Sequence, residues 1–477
     1  MDLASTSAEP FEREIPIDGS LERGALGLRQ TASTSLAQIA PALGLYFNIA
    51  LIAGSVGAAA PIAVLLGAIG IAGTAYTLAN FARTHPAVGS FINYIVKGCG
   101  SWLGTTLALP LQAGYILLNA GTVIALGVWI QELLARWANV TVPWQPISLA
   151  GGAILYGVMI VGVKATVRAA MAMFVFEVAI LAALALYIFS KAHVTAAPLT
   201  VHSGTGIKGF GLAFVLSLYM FLGWEAPVTF SEETRDPRRT IPWAILIGLV
   251  IATVIYFGMA FAVVIGYGPD HMTALANDSA PFDTVARLYG GDPLRMAIDI
   301  AGLTSICGSL LASAASQGRT LFEMGRIGML PSRVSTVGRR YRTPHAALIT
   351  YFALTVVIIL VWGSLVAGGL NVFGQVATLG TIPVVVTYMA VNVAAIVHTC
   401  RGGRVYRRPS LGIAVAVFGI AAMAYPLWQL VQPGQAAPYN RFPIVVLIAT
   451  MVAGAYSFWL IRRRPEMAQR VEELLAG

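Results

Sequence analysis

The sequence predicts an all-α integral membrane protein with twelve membrane-spanning helices, arranged as two inverted five-helix blocks followed by two further helices. Three observations carry this. Hydrophobic residues make up 57% of the 477 and charged residues only 11%, against about 25% charge in a soluble protein, and mean hydropathy is +0.76. Apolar runs of the roughly 20 residues that a bilayer demands recur along the chain. Two of these runs, at corresponding places in the two halves, are interrupted by Gly and Pro, which points to discontinuous helices in an inverted repeat.

The elements follow in order. Residues 1–31, with Glu9, Glu12, Arg13, Glu14, Asp18, Glu22 and Arg23, read as a solvated tail. The tail lacks the basic segment and short apolar core of a cleavable signal. Helix 1, near 32–57, contains Ile39-Ala40-Pro41-Ala42-Leu43-Gly44. Helices 2 to 5 fall near 61–82, 102–136, 147–163 and 169–190. Helix 6, near 209–232, contains Phe221-Leu222-Gly223-Trp224-Glu225-Ala226-Pro227. Helices 7 to 10 fall near 242–266, 294–324, 345–366 and 371–398, and helices 11 and 12 near 410–431 and 442–461. An odd number of helices separates equivalent positions, so the blocks 32–190 and 209–398 have opposite orientation. Together they form a core over 32–398. Residues 399–463 carry the two extra helices, and 464–477 form a second tail.

Charge placement sets the orientation. With both termini cytoplasmic, most of the 30 Lys and Arg residues lie on the inner side, leaving Arg136, Lys191, Lys208, Arg287, Arg295 and Arg441 outside. That asymmetry follows the positive-inside rule, so the net charge of +9 reflects topology and not a nucleic-acid partner. The partners expected are a lipid bilayer, a small molecule and, for the assembly, either a monomer or a homodimer. Cys99, Cys307 and Cys400 are far apart, and neither they nor the six His show ligand spacing, so neither a metal site nor a disulfide framework is indicated. An enzyme would need a nucleophile–base pair or metal ligands at membrane depth, and no such pattern is present.

Four stretches add a further signal. Helix 2 runs into Phe81-Ala82-Arg83-Thr84-His85-Pro86-Ala87-Val88-Gly89-Ser90. Gly223-Trp224-Glu225 is followed by Glu232-Glu233-Thr234-Arg235-Asp236-Pro237-Arg238-Arg239-Thr240-Ile241-Pro242. Helix 8 ends in Arg319-Thr320-Leu321-Phe322-Glu323-Met324-Gly325-Arg326-Ile327-Gly328-Met329-Leu330-Pro331, and Arg342-Thr343-Pro344-His345-Ala346 comes next. In this order the motifs resemble the amino acid–polyamine–organocation superfamily of permeases, over about residues 30–400. Helix 1 departs from the family's glycine-rich pattern, Ile327 stands where an Asp is usual, and Glu177 stands where many relatives carry a lysine. The resemblance implies a leucine-transporter-type fold, five plus five inverted helices with helices 1 and 6 discontinuous, and two more. It also implies substrates among amino acids, polyamines and related amines, moved by proton coupling, exchange or sodium coupling.

A zwitterion crossing a bilayer brings two charges to be held without water. A broken helix exposes N–H groups at one half-helix and C=O groups at the other, with the helix dipole behind each. Backbone at Ile39, Ala40, Ala42, Leu43 and Gly44 is expected to meet a carboxylate, and carbonyls near Phe221, Leu222 and Gly223 an amine. Glu225, just after the helix 6 break, is a candidate amine ligand, proton carrier or gate, because an ionisable group inside a span is costly. The structural alternative is an acid bonded to neighbouring backbone. The resemblance sets Glu177 between helices 1 and 8, where it could carry a proton or join Thr304, Ser305 and Ser309 in a sodium site. The alternative is an interfacial acid reaching out to water. Tyr219 matches a family gating aromatic. Phe221 and Trp224 would wall the pocket, while Tyr115 and Asn119, four apart, share a face of helix 3. Asp299 in helix 8 carries no assignment.

The function expected is secondary active transport of an amino acid or related amine across the cell membrane, by proton-coupled import and alternating access. No cofactor is expected, the coupling ion being a proton with sodium as the alternative. A polyamine or organic-cation carrier and an amino acid exchanger are the runners-up, and a non-transporting membrane sensor is the reading from another class.

Overall fold

The computed structural model describes residues 21–86, 91–201, 207–338, 340–433 and 435–464. The outer parts of both tails, Ala87 to Ser90 of the first inner-loop motif and Arg339 lie outside the described residues. Among the described residues the regular structure is helical, and no strand is formed. In chain order the α-helices are α1 (Leu28–Ile39), α2 (Pro41–Val56), α3 (Ala60–Thr84), α4 (Phe91–Cys99), α5 (Ser101–Leu133), α6 (Trp144–Ile160), α7 (Val163–Lys191), α8 (Ile207–Met220) and α9 (Pro237–Tyr267). They continue as α10 (Met272–Ala276), α11 (Pro281–Arg326), α12 (His345–Leu365), α13 (Gly369–Cys400), α14 (Pro409–Leu430) and α15 (Phe442–Arg463).

Among the described residues, length and apolarity qualify nine helical segments to cross a membrane, where the sequence predicts twelve spans. The difference has a physical origin. The first segment, Leu28–Thr84, takes in α1 to α3, and two apolar helices, Trp144–Ile160 and Gly209–Met220, are too short to count.

The break in the first span lies where Ala-Pro demands it. Pro41 cannot continue a helix from Ile39, and the residue before a proline is steered out of the right-handed helical region. Ala40 takes φ 51 and ψ 73, and Pro41 starts α2, a position where its missing N–H costs nothing. The sixth segment breaks after Met220. Five residues of turn follow, with Gly223 at φ 107, then a 3₁₀ turn over Ala226–Phe230. The chain re-enters a helix at Pro237. A third irregularity is in α11, where Gly291 (φ 68, ψ −164) kinks the helix ahead of the predicted span.

The longest helices pair closely: α11 lies along α7, α13 along α5, and α3 along α9. Small residues permit the approach. Where α5 meets α13, a Cβ on Gly114 would fall 2.6 Å from the Gly380 carbonyl oxygen. The outer helices present apolar side chains outward, including Leu365 (77% exposed) on α12 and Val452 (63%) on α15, as a lipid-facing surface requires. The short α4 was not expected from the sequence. Its nine residues bury Phe91, Ile92, Tyr94, Ile95 and Val96, too short a run for a ruler set to span length.

Near α1, Leu26 pairs with Thr234 in an isolated parallel bridge. Leu26 N–H donates to Glu233 O (2.8 Å) and Arg235 N–H donates to Leu26 O (2.8 Å). The segment before α1 is thereby stitched to the loop before α9.

Candidate functional site

The two chain breaks meet inside the protein. Tyr256 of α9 places its hydroxyl 3.0 Å from Ile39 O and 2.7 Å from Met220 O, the terminal carbonyls of α1 and α8. Ser309 Oγ donates to Gln38 O (3.0 Å) and Ser35 Oγ donates to Trp224 O (3.1 Å). Helix ends leave carbonyls without intrahelical partners, and here neighbouring hydroxyls supply them.

The start of α2 is occupied differently from expectation. Pro41 has no N–H. Ala42 N–H donates to Glu177 Oε1 (2.8 Å), and Leu43 N–H donates to Ser305 Oγ (3.2 Å), whose hydroxyl in turn donates to Glu177 Oε1 (3.0 Å). Gly44 N–H bonds Ala40 O within the helix (3.0 Å). Donors expected to face a substrate carboxylate are therefore held by Glu177, Ser305 and the helix's own backbone. Glu177 lies between helices 1 and 8 and is 2% exposed, so the alternative of an acid reaching out to water is excluded. Of the hydroxyls expected beside Glu177, Ser305 is the one that bonds it. Thr304 Oγ1 donates to Ala301 O (3.0 Å) in its own helix and Ser309 turns to Gln38. Ser305 and Ser309, four apart, share a face that Thr304 leaves.

Glu225 is fully buried. Tyr115 OH donates to its Oε1 (2.6 Å) and Gly223 N–H donates to its Oε2 (3.1 Å). Phe221 and Trp224 do not wall an open space. Both are 0% exposed, Phe221 edge-on to Tyr256 and Trp224 tilted against Tyr388.

A cavity of about 100 Å³ lies at the breaks. Ile39, Ala40, Leu43, Gly44, Tyr115, Asn119, Tyr219, Leu222, Gly223 and Ser309 line it. Ala42, Glu177, Phe221, Trp224, Glu225, Thr304 and Ser305 are not among its lining residues, Glu225 touching it only through Tyr115 and Gly223. Asn119 is engaged on all sides: its Nδ2 donates to Tyr156 OH (2.7 Å) and Thr355 Oγ1 (3.4 Å), and Ser313 Oγ donates to its Oδ1 (3.3 Å).

Sequence reasoning missed Gln38, Leu118, Thr122, Met220, Ser313, Gln317 and Phe373 in this lining. A signal existed for part of it, because Ser305, Ser309, Ser313 and Gln317 recur every four residues and form a polar stripe on α11. Phe373 on α13 carries no such pattern. A second, apolar chamber of about 410 Å³ adjoins the first and shares Tyr219, Leu222 and Phe373 with it.

Asp299 belongs to neither. Arg136 Nη1 donates to its Oδ1 (2.8 Å) and Trp137 Nε1 to its Oδ2 (2.7 Å). Arg136 also pairs with Asp283 (2.8 Å), which Arg295 holds as well (2.9 Å). The network ties the end of α5 to both pieces of α11.

The amino acid permease family model matches residues 26–453. The chain belongs to that family. Its members are transporters and not enzymes, in accord with a site holding two backbone breaks and a cavity between them. Similar proteins include the methylthioribose transporter of Bacillus subtilis (strain 168), 25% identical over 285 residues. That alignment covers 57% of this chain and 60% of the relative. An uncharacterized transporter of Mycobacterium tuberculosis (strain ATCC 25618 / H37Rv) is 25% identical, with 74% and 75% covered. The branched-chain amino acid permease of Bacillus subtilis (strain 168) is 23% identical, with 68% and 70% covered. The family model and the apolar helices make the chain a multi-pass membrane protein.

Proposed function

We propose that the chain is a secondary active permease that imports an amino acid or closely related amine across the cell membrane, by alternating access and with proton coupling. One observation carries this reading: the ends of two interrupted helices, α1/α2 and α8, meet at a cavity with two buried acids close by. Broken backbone at membrane depth persists only where it is protected by protein or lines a cavity. Membership of the permease family supports the substrate class.

In this reading the molecule has twelve spans. Leu28–Thr84 counts as two, turning at Gly57 (φ 62), and the two shorter apolar helices complete the set. The breaks fall at the first and sixth spans, as a five-plus-five repeat requires, and the Lys and Arg distribution sets both termini in the cytoplasm. Glu225 meets the cavity wall through Tyr115 and Gly223, and Glu177 links the start of α2 to α11, so each is proposed as a proton carrier.

The test is uptake into proteoliposomes, with labelled amino acids and amines under an imposed proton or sodium gradient. Accumulation driven by the proton gradient is expected, and its absence under both gradients would overturn coupled transport. Glu225→Gln and Glu177→Gln should each flatten the pH dependence of uptake. A variant that keeps the wild-type profile loses its proposed role.

A further inference from the structure

The permease reading leaves the substrate's side chain open, and the apolar chamber beside the cavity narrows it. We propose that the substrate is an amino acid with a bulky, uncharged, apolar side chain, which enters the chamber of about 410 Å³, and that Tyr219, Leu222 and Phe373 set which side chains pass. This rests on the reading of the cavity at the breaks as the site for the substrate's polar end.

The two spaces differ in chemistry. The cavity of about 100 Å³ is walled by helix ends and by hydrogen-bonding side chains, among them Gln38, Asn119, Ser309 and Gln317. Gln38 is 9% exposed, and its Oε1 has no hydrogen-bond partner among the described residues. It therefore offers an acceptor to an N–H of a ligand. The volume is below the roughly 300–1,000 Å³ of ligand pockets, so this space suits a polar end with little beyond it. The adjoining chamber falls within that range.

The chamber is built from α2, α3, α8, α13 and α14, with Phe47, Ile71, Val215, Ile382, Met423 and Leu427 supplying hydrocarbon. Three of its polar residues spend their donors on their own helices. Asn48 Nδ2 donates to Gly44 O (2.7 Å), Thr378 Oγ1 to Gly374 O (2.8 Å) and Thr381 Oγ1 to Ala377 O (2.7 Å). Among the described residues, neither space is lined by Asp, Glu, Lys, Arg or His. A charged side chain would be buried there with no opposite charge beside it, at a cost that binding does not return. An apolar one gains about fourfold in affinity for each methylene taken out of water.

The spaces are continuous in their walls. Tyr219, Leu222 and Phe373 line both, so the partition between them includes side chains that can change rotamer. The Phe373 ring lies 5.2 Å from that of Phe47 in the chamber wall, which sets it at the junction.

Equilibrium binding of alanine, leucine, phenylalanine, lysine and glutamate to the purified full-length permease tests this. Leucine and phenylalanine are expected to bind at least about tenfold more tightly than alanine, a difference of about 1.4 kcal/mol. Lysine and glutamate should bind no more tightly than alanine. Ala377→Phe puts a ring into the chamber from a residue that does not line the first cavity, and should bring the leucine-to-alanine ratio towards one. Phe373→Ala thins the partition and should raise phenylalanine relative to leucine. Leucine no tighter than alanine, lysine or glutamate as tight as leucine, or ratios unmoved by either variant would overturn the inference and leave the permease reading standing. Unmoved ratios are also what a lipid chain lodged in the chamber would give. Failure of all five compounds to bind would instead count against both. If Ala377→Phe does not fold, the wild-type ratios and Phe373→Ala decide.

Discussion

Arg319 and Glu233, 86 residues apart, form a two-pronged ion pair sealed inside the protein. Arg319 Nη2 reaches Glu233 Oε1 at 2.8 Å, Nε engages Oε2, and Nη1 donates to Ala315 O (2.6 Å). The guanidinium lies 4.3 Å from the centre of the Phe230 ring. Exposure is 2% for Arg319 and 0% for Glu233. The pair fixes α11 to the loop that also holds Leu26, so three segments remote in sequence depend on one guanidinium.

Removing one member of a buried ion pair strands the other charge and typically costs about 3–5 kcal/mol. Arg319→Ala should therefore lower the unfolding temperature sharply in detergent, whereas Lys164→Ala, which breaks the exposed contact with Glu22, should cost at most about 1 kcal/mol. Arg319→Met combined with Glu233→Leu should recover much of the loss. Equal, small shifts for Arg319→Ala and Lys164→Ala would refute the assignment.

Gly223→Ala is expected to be destabilising and to close the site. At φ 107 a side chain is strained by about 1–3 kcal/mol, and its Cβ would lie 2.6 Å from Gln38 Cγ. Substrate binding measured beside thermal stability should show both falling. Wild-type binding in this variant would mean that the turn is not shaped as described.

Tyr115→Phe removes the hydroxyl that donates to Glu225 Oε1. Leaving a buried acceptor unpaired costs about 1–3 kcal/mol, so a loss of that order is expected in stability, with uptake reduced as well. Thr122→Val, at another lining residue whose hydroxyl donates to Leu118 O in its own helix (3.1 Å), should be milder. A larger loss from Thr122→Val would argue against the Tyr115–Glu225 link.

Acid sensitivity should trace in part to His85, which follows α3. Burial pushes its imidazole down to about 4, with the charges of Lys97, His398 and Arg238 acting in the same direction. The unfolded chain titrates near 6.5 and takes up the proton first, so the contribution of neutral His85 is present above about pH 6.5 and is lost as pH falls towards 4. Unfolding curves recorded between pH 7 and 4 should flatten in His85→Asn. A slope identical to wild type would assign the sensitivity elsewhere.

Much of this could be read from the sequence because the decisive features are local. Ala40-Pro41 breaks a helix by the geometry of the proline ring, and Gly223 marks the other break by the same backbone logic. The motif residues Glu233 and Arg319 were visible singly, but their pairing was not, because it depends on how α11 crosses a loop far away in sequence. The same limit hid Glu177 as the acceptor at the start of α2. A lone acid in an apolar run announces that it needs a partner without saying which, and Ala42 offers only a backbone N–H. Phe373 and Tyr256 reach the site by tertiary packing, and nothing in their neighbours' sequence distinguishes them from ordinary aromatic filler.

Tyr256 has one hydroxyl proton and two carbonyls within reach, Ile39 O and Met220 O. It can satisfy one fully, or divide itself between them, but it cannot bond both at full strength. Were α1 and α8 to separate, as the proposed alternating access requires, the proton could stay with either helix, one backbone carbonyl replacing another of the same kind. The tyrosine is in this sense a swivel pin. It holds the two broken helices in register, and their parting would break a shared bond and not a whole one.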